Sequence, residues 1–294
     1  MTTLAAQLRP DGTGRAPGRP RRRIRWSTPI VAFIALLLVG VMLAPVAYII
    51  IGGFRTNSEI TQDPSGLPRV WQFSNYLEVL ASDVFWREVG NSVIAAVATT
   101  VLVVVLGLMA SFGLSRYRFR GRGAIYTLFT AGLMFPITVA ITPLYILVRS
   151  LGLMNSLAGV IIPQVAFALP MTIVILVPFL QAIPAELQEA AEIDGCGRLG
   201  FFWRMVLPLS KPGVITVGIL AFIASWNSYM LPLFILNDDA SFTLPLGVQA
   251  FSSQYSVDTA KVLAFVSLSM LPALIFFSIF ERRIVGGLTG AVKG

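Results

Sequence analysis

Long uncharged stretches alternate with short charged segments along this chain. A helix needs about 20 mainly apolar residues to cross the hydrocarbon core of a bilayer, and six stretches are that long. They run approximately over Ser27–Phe54, Val89–Ser115, Gly123–Val148, Leu157–Gln181, Pro212–Leu236 and Val262–Phe280. The pattern therefore predicts an all-α integral membrane protein with six transmembrane helices.

Basic residues concentrate in alternate segments between these stretches. Most of the 22 Lys and Arg residues lie in the N-terminal tail, the second and fourth inter-span loops and the C-terminal tail. Short loops rich in positive charge stay in the cytoplasm. Both termini are therefore predicted to be cytoplasmic, which agrees with an even number of spans.

Residues 1–26 form a tail of their own. Seven arginines interspersed with Pro and Gly predict a disordered basic segment. Its charge could contact nucleic acid, but a topology signal at the lipid surface is the simpler role, and no nucleic-acid partner is expected. The apolar run that follows is longer than the 7–15 residues of a cleaved signal peptide, so we expect the first span to be retained.

The composition fits a bilayer and excludes much chemistry. Only 12% of the 294 residues are charged, about half of the roughly 25% typical of soluble domains. Histidine is absent and Cys196 is the single cysteine, which excludes disulfide frameworks, Cys/His zinc sites and His-dependent catalysis. The predicted spans contain no internal charged residue, whereas ion-coupled carriers and intramembrane enzymes need such groups. We therefore expect a transport protein, not an enzyme, whose energy comes from another polypeptide.

One charged segment, residues 183–212, has the pattern of two short helices around a turn. Pro184, Glu186 and Glu189 favour a helix start. Gly195 can adopt the left-handed conformation that ends a helix. A second helical stretch, about Arg198–Val206, is expected to stop at Pro208.

Each short helix has one face at helical spacing. The residues on these two faces are Leu187, Ala190, Ala191 and Asp194 in the first helix, and Leu199, Phe202, Trp203 and Val206 in the second. Both faces could pack against the chain's own membrane helices. Alternatively, part of the surface could dock a partner, with Ala190 and Ala191 allowing close approach and the acids pairing with basic residues. The residues alone leave both interpretations open.

The order Glu189-Ala190-Ala191, then Gly195, then Leu207-Pro208 resembles the EAA signature of permease subunits in binding-protein-dependent ABC importers. The similarity extends from about residue 30 to the end and is greatest to the second permease of maltose-type importers, in the carbohydrate-uptake branch. Other matching positions are Asn75-Tyr76, Asn91-Ser92, Trp226-Asn227 and Gly287–Gly294. The terminal pattern is one small residue shorter than is usual, and Met205 stands where Ile or Val is common.

This resemblance implies a type I ABC importer permease fold in the cytoplasmic membrane of a bacterium. The permease domain would cover residues 27–281, with a core at about 88–281 and a cytoplasmic tail at 282–294. The implied partners are a second permease, two ATPase subunits, an extracytoplasmic solute-binding protein, a sugar and membrane lipid. ATP and Mg would bind the ATPase subunits, and no cofactor is expected on this chain because it lacks the Gly-x-x-x-x-Gly-Lys-Ser/Thr phosphate loop.

The resemblance also assigns roles to residues. The residues that would couple to the ATPase are Glu186, Glu189, Ala190, Ala191, Asp194, Gly195 and Pro208. Those of the tail at the ATPase interface would be Gly287, Leu288, Thr289, Gly290 and Lys293.

A polar and aromatic cluster in the fifth span, Ser225, Trp226, Asn227 and Tyr229, is a candidate substrate path. Tryptophan could stack on a sugar ring and Asn could bind its hydroxyls, or the cluster could make only interhelical hydrogen bonds. The alternative functions are an ABC permease for a non-sugar solute such as glycerol phosphate, an ATP-independent secondary carrier and, last, a membrane enzyme.

Overall fold

A computed structural model describes residues 27–251 and 257–292, and the side chains of 29–251 and 257–279. The chain divides into two units, Met1–Pro45 and Val46–Gly294, and every contact described below lies within the second. Within the described residues the fold is entirely helical, without a β-strand. The basic tail predicted over residues 1–26 lies outside them.

Thirteen α-helices follow one another in the described part of the chain. They are α1 Ser27–Gly52, α2 Asn57–Gln62, α3 Phe73–Ala81, α4 Asp83–Arg116, α5 Arg122–Gly132, α6 Ile137–Ser150, α7 Leu157–Gln181, α8 Ala185–Ile193, α9 Arg198–Phe201, α10 Leu207–Leu209, α11 Lys211–Trp226, α12 Met230–Ile235 and α13 Thr259–Val292. A π-helical turn, Phe202–Val206, joins α9 to α10, and 3₁₀ turns occupy Asp239–Ser241 and Leu244–Phe251.

Four of these helices are each long and apolar enough to cross a membrane, namely α1, α4, α7 and α13. The count reaches six if each of two bent helix pairs is one span. The structure thus has the apolar helices expected of a membrane protein, with four to six candidate spans among the described residues.

The third predicted span, Gly123–Val148, is not a continuous helix. It consists of α5 and α6, whose axes differ by 102°. Pro136 has no backbone N–H and restricts the residue before it, so it breaks the helix. Residues 133–135 bond backward to carbonyls three residues earlier, which keeps the backbone at the break hydrogen-bonded.

The fifth predicted span, Pro212–Leu236, is also divided. Helix α11 ends at Trp226, and the short α12 follows after Asn227–Tyr229. The sixth span was predicted over Val262–Phe280, but α13 runs from Thr259 to Val292 without a break.

Helix α4 is the centre of the bundle and packs against both α7 and α11. Small and β-branched side chains form this contact, among them Ala95, Val103, Val165 and Ala221. Membrane helices associate through such small residues because lipid supplies no hydrophobic driving force between them. At about 1.5 Å per residue, α4 is about 50 Å long. It therefore connects the two ends of the bundle.

A buried ionisable group lies in α4 just ahead of the second predicted span, which itself contains no charged residue. Helix α4 begins at Asp83, ahead of the predicted start at Val89, and so includes Glu88. The Glu88 side chain is 1% exposed, and its Oε2 has no hydrogen-bond partner in the described chain. The hydropathy pattern did not place Glu88 in a span because Glu88 lies just before the uncharged stretch that begins at Val89.

Candidate functional site

Helix α8 ends in a defined turn within residues 183–212, which we call the coupling loop. Gly195 has φ +76°, the left-handed conformation expected from the sequence. The N–H of Gly195 donates to the carbonyl of Glu192, and the N–H of Cys196 donates to that of Ala191 at 2.8 Å. These paired bonds form a Schellman motif. Residues 194–197 are therefore a fixed turn and not a loose connector.

The second short helix does not stop at Pro208 as predicted, because helical structure continues to Leu209. The chain widens into a π turn over Phe202–Val206, in which the N–H of Leu207 donates to the carbonyl of Phe202. A π turn accommodates the following Pro208, which has no N–H to donate. The sharp bend of 76° falls after Leu209, before α11 begins at Lys211.

The coupling loop has a buried side that rests on the membrane helices. Phe201, Phe202 and Val206 are buried with Leu180 of α7 and Leu108 of α4 in one hydrophobic cluster. Leu187, Ala191 and Cys196 are half-buried against the same cluster. The loop is therefore packed directly against α4 and α7.

The other side of the coupling loop is exposed. The coupling residues predicted from the sequence, other than the half-buried Ala191, are all exposed: Glu186, Glu189, Ala190, Asp194, Gly195 and Pro208. Beside them lie Ile193, Leu199 and Trp203, which are 86%, 76% and 62% exposed. Large apolar side chains grouped with acids at the surface are typical of a protein–protein contact.

The sequence predicted that one helix face carries Leu199, Phe202, Trp203 and Val206, and this prediction is wrong. Leu199 and Trp203 point outward, whereas Phe202 and Val206 point into the bundle. The π turn changes the residues per turn, so a spacing of 3.6 residues no longer selects one face. The packing interpretation thus holds for one side of the loop. The other side is exposed, and its docking to a partner stays a prediction.

Arg116 fastens the start of the coupling loop to α4. Its Nη2 donates to the carbonyls of Leu180 and Ile183, each at 2.7 Å. These carbonyls belong to the end of α7 and the link to α8, where helix geometry leaves acceptors unpaired. The sequence marked Arg116 only as one of several loop charges. Its structural role could not be read from the sequence.

The opposite end of α4 holds the segment that follows α12. The side-chain amide of Asn91 donates to the carbonyls of Ala240 and Phe242, and the N–H of Leu244 donates to the hydroxyl of Ser92 at 2.7 Å. A Cβ on Gly247 would overlap the carboxylate of Glu88. The Asn91-Ser92 pair noted in the sequence therefore positions residues 240–247.

A buried arginine, Arg55, organises the turn after α1. The guanidinium of Arg55 is 2% exposed and donates to the carbonyls of Glu59, Asp63 and Pro64. Thr56 and Glu59 cap α2 reciprocally. The N–H of Thr56 donating to the Glu59 carboxylate lowers the pKa of that carboxyl.

The polar and aromatic residues at the end of α11 and just beyond it face different neighbours. Trp226 is 4% exposed and stacks on Phe222 at 5.9 Å between ring centroids. Asn227 donates its side-chain amide to the carbonyl of Ile223 in its own helix. Trp226 and Asn227 line a cavity of about 240 Å³ beside α13, while Tyr229 is exposed. Ser225 instead faces α7.

The C-terminal residues assigned by resemblance are only partly described. The backbone of Gly287, Leu288, Thr289 and Gly290 continues α13, and Lys293 lies outside the described residues. In the part of the chain whose side chains are described, no group of three or more His, Cys, Asp and Glu is arranged to hold a metal ion.

These helices have the fold of an ABC importer permease. The fold matches a chain in the crystal structure of a bacterial ABC transporter involved in the import of the acidic polysaccharide alginate, with a TM-score of 0.74. The match covers 88% of this chain and 98% of that one, at 23% sequence identity. Residues 103–285 match the family described as binding-protein-dependent transport system inner membrane component, and the chain belongs to this family.

Two relatives extend the similarity over most of the chain. A diacetylchitobiose uptake system permease protein of Streptomyces coelicolor is 34% identical over 251 residues, covering 85% of this chain and 83% of its own length. A trehalose transport system permease protein of Mycobacterium tuberculosis is 35% identical over 277 residues, covering 93% and 99%. The recognition made from the EAA signature is thereby confirmed.

Proposed function

We propose that this chain is one of two permease subunits in an ATP-driven importer for a sugar or oligosaccharide, in the cytoplasmic membrane of a bacterium. It would cross that membrane six times with both termini in the cytoplasm. A second permease, two ATPase subunits and an extracytoplasmic solute-binding protein would complete the importer. ATP and Mg would bind the ATPase subunits, because this chain has no phosphate loop.

The exposed side of the coupling loop is the observation that carries this proposal. Glu189, Ala190 and Asp194 surround the fixed turn at Gly195 and point away from the bundle. The apolar Leu199 and Trp203 extend the same surface. An ATPase subunit with a cleft lined by basic and apolar groups would cover this surface and neutralise its acids.

Force applied to this surface would reach the membrane helices directly. The buried side of the coupling loop packs on α4 and α7, and Arg116 connects the start of the loop to both helices. Closure of the ATPase dimer would therefore displace packed helices as rigid elements. Transport would follow from this mechanical coupling, with no chemistry on this chain.

The names of the relatives support a sugar as the solute. The Streptomyces coelicolor and Mycobacterium tuberculosis relatives carry the names of diacetylchitobiose and trehalose systems. A non-sugar solute such as glycerol phosphate is the alternative. An ATP-independent secondary carrier is disfavoured because the middle of the helices lacks the ionisable groups that ion coupling requires.

A pair of glycine substitutions tests the coupling surface. Gly195 and Gly152 both have left-handed φ values, +76° and +70°, and a Cβ at either position meets nothing within 4 Å. Valine at either position therefore imposes the same backbone strain on this chain. Only Gly195 lies on the coupling loop, so an additional loss in Gly195→Val is the effect expected of contact with a partner.

The assay is uptake of radiolabelled trehalose, diacetylchitobiose and maltose by cells carrying the complete importer. We expect Gly195→Val to reduce uptake at least fivefold, with the chain still in the membrane, and Gly152→Val to reduce it less than twofold. Equal uptake by the two variants would refute the coupling role. Undiminished uptake with a hydrolysis-dead ATPase subunit would instead indicate a secondary carrier.

A further inference from the structure

Three polar side chains from three helices meet halfway along the bundle. Gln164 of α7 accepts hydrogen bonds at Oε1 from the hydroxyls of Thr99 in α4 and Ser225 in α11, at 3.1 and 2.6 Å. All three side chains are more than nine-tenths buried. Thr99 has about 25 Å of α4 on either side, at about 1.5 Å per residue. The cluster therefore lies near the middle of the bundle.

In this arrangement the side-chain amide nitrogen of Gln164 makes no hydrogen bond to the described residues. Because both hydroxyls donate to Oε1, Nε2 has no hydrogen-bond partner among the residues whose side chains are described. Gln164 lines a cavity of about 380 Å³ together with Phe167 and Ser228. The Ser228 hydroxyl likewise makes no hydrogen bond in that part of the chain. Ser228 is half-buried, and both residues line the cavity with hydrogen-bonding capacity that the described chain does not use. Both groups are therefore suited to a ligand that carries oxygen atoms.

The lining of the cavity selects the kind of ligand. None of its residues is ionisable, so a charged solute there would receive no counter-charge from this chain. Phe167 supplies a flat apolar surface, while Gln164 and Ser228 supply polar groups at fixed positions. The volume is within the range of small-molecule sites. A pyranose ring, with hydroxyls at its edge and C–H groups on its faces, has the complementary chemistry.

The break in the third span borders the same cavity. Ile137, the first residue of α6, contributes to its lining. Interrupted helices near mid-membrane commonly border solute sites in transporters, because their ends tolerate polar contacts there. The cavity thus lies where a path through the bundle would pass.

We propose that this cavity binds one glycosyl unit of an uncharged sugar during transport, with Gln164 and Ser228 bonding to its hydroxyls and Phe167 packing on its C–H face. This inference rests on the proposed function and adds a solute site in this subunit. The site differs from the Trp226–Asn227 cavity and disfavours an anionic solute such as glycerol phosphate.

Cysteine protection tests the site in the complete importer with its solute-binding protein. Cys196 is the only cysteine of the chain, so Cys196→Ser provides a background without thiols on this subunit. Ser228→Cys places a thiol in the proposed site. Ser269→Cys is the matched control, because Ser269 lines the neighbouring cavity with Trp226 and Asn227. The reagent is uncharged N-ethylmaleimide, applied with and without the sugar that the parent importer takes up fastest among trehalose, diacetylchitobiose and maltose.

We expect the sugar to slow modification at Ser228→Cys at least threefold and to leave Ser269→Cys unchanged. In a second measurement, Ser228→Ala should reduce sugar imported per ATP hydrolysed about fivefold, because sugar is held less well inside the bundle. The control Thr216→Val removes a hydroxyl that donates within α11, to the carbonyl of Pro212, and should leave the ratio unchanged. A merely structural role would lower uptake and hydrolysis together.

The outcomes separate the two claims. Uptake by the parent importer with no protection at position 228 and an unchanged ratio in Ser228→Ala would overturn the cavity proposal alone. Protection at position 269 instead would transfer the solute site to the Trp226–Asn227 cavity and overturn it as well. Failure of the parent importer to take up any of the three sugars would overturn the proposed function, and the cavity proposal with it.

Discussion

Arg116 of α4 is hydrogen-bonded to the start of the coupling loop, and its loss should weaken that connection measurably. Its Nη2 donates to the carbonyls of Leu180 and Ile183. Arg116→Met keeps the length and apolar stem of the side chain but removes both bonds. Hydrogen bonds to a charged group contribute about 1.5–3 kcal/mol each. Because Arg116 is only half-buried, we reduce this to about 2 kcal/mol for the pair.

A loss of about 2 kcal/mol corresponds to roughly 30-fold more frequent local opening. Amide hydrogen exchange of residues 184–206 in the complete importer should therefore accelerate by that factor. The sugar imported per ATP hydrolysed should fall, because the ATPase would move a loosened loop.

Arg118→Met is the matched control for Arg116→Met. Arg118 is exposed, carries the same charge and lies on the same side of the bundle. We expect neither exchange nor transport to change in this variant. Unchanged exchange over residues 184–206 in Arg116→Met, or an equal acceleration in Arg118→Met, would refute the reasoning.

Three further predictions concern other contacts. Gly247→Ala should lower the free energy of unfolding by about 1–3 kcal/mol, because the added Cβ would overlap the buried Glu88 carboxylate. In the control Gly90→Ala the added Cβ meets nothing within 4 Å, so its free energy of unfolding should fall far less. Asn91→Ala removes the hydrogen bonds to the carbonyls of Ala240 and Phe242 and should loosen that segment. Stimulation of ATP hydrolysis by the solute-binding protein should then be weaker. Unchanged stimulation would argue that Asn91 does not position this segment for the solute-binding protein. Deletion of Gly287–Gly294 should lower uptake with the chain still in the membrane, and full uptake would remove the tail from the ATPase interface.

Backbone features set by single residues were the most predictable part of the coupling loop. A run of good helix formers followed by glycine is enough to predict a left-handed helix end, and Gly195 has it. The exposed face was less predictable, because the π turn at Phe202–Val206 depends on packing against α4 and α7. No local pattern encodes that packing, and the regular spacing therefore misplaced Leu199 and Trp203.

In the helix bundle, too, features set by the local sequence were predictable and features set by packing were not. Hydropathy located the long apolar helices, because apolar length is a property of the local sequence. Hydropathy did not predict that the chain changes direction at Pro136, because proline is also tolerated in continuous membrane helices. A signal for the central cavity was present, because Gln164 is a lone polar residue in the apolar run of α7. Its partners Thr99 and Ser225 come from distant parts of the chain and required the structure.

The central claim is that the exposed side of the coupling loop contacts an ATPase subunit in the cytoplasm. A photo-cross-linking amino acid at Ala190, which is exposed on α8, tests it in the assembled importer, with the same group at Trp86 as control. Trp86 is 56% exposed near the other end of α4. We predict that Ala190 captures the ATPase subunit and Trp86 does not. Capture of the ATPase from Trp86, or of only the solute-binding protein from Ala190, would contradict the account.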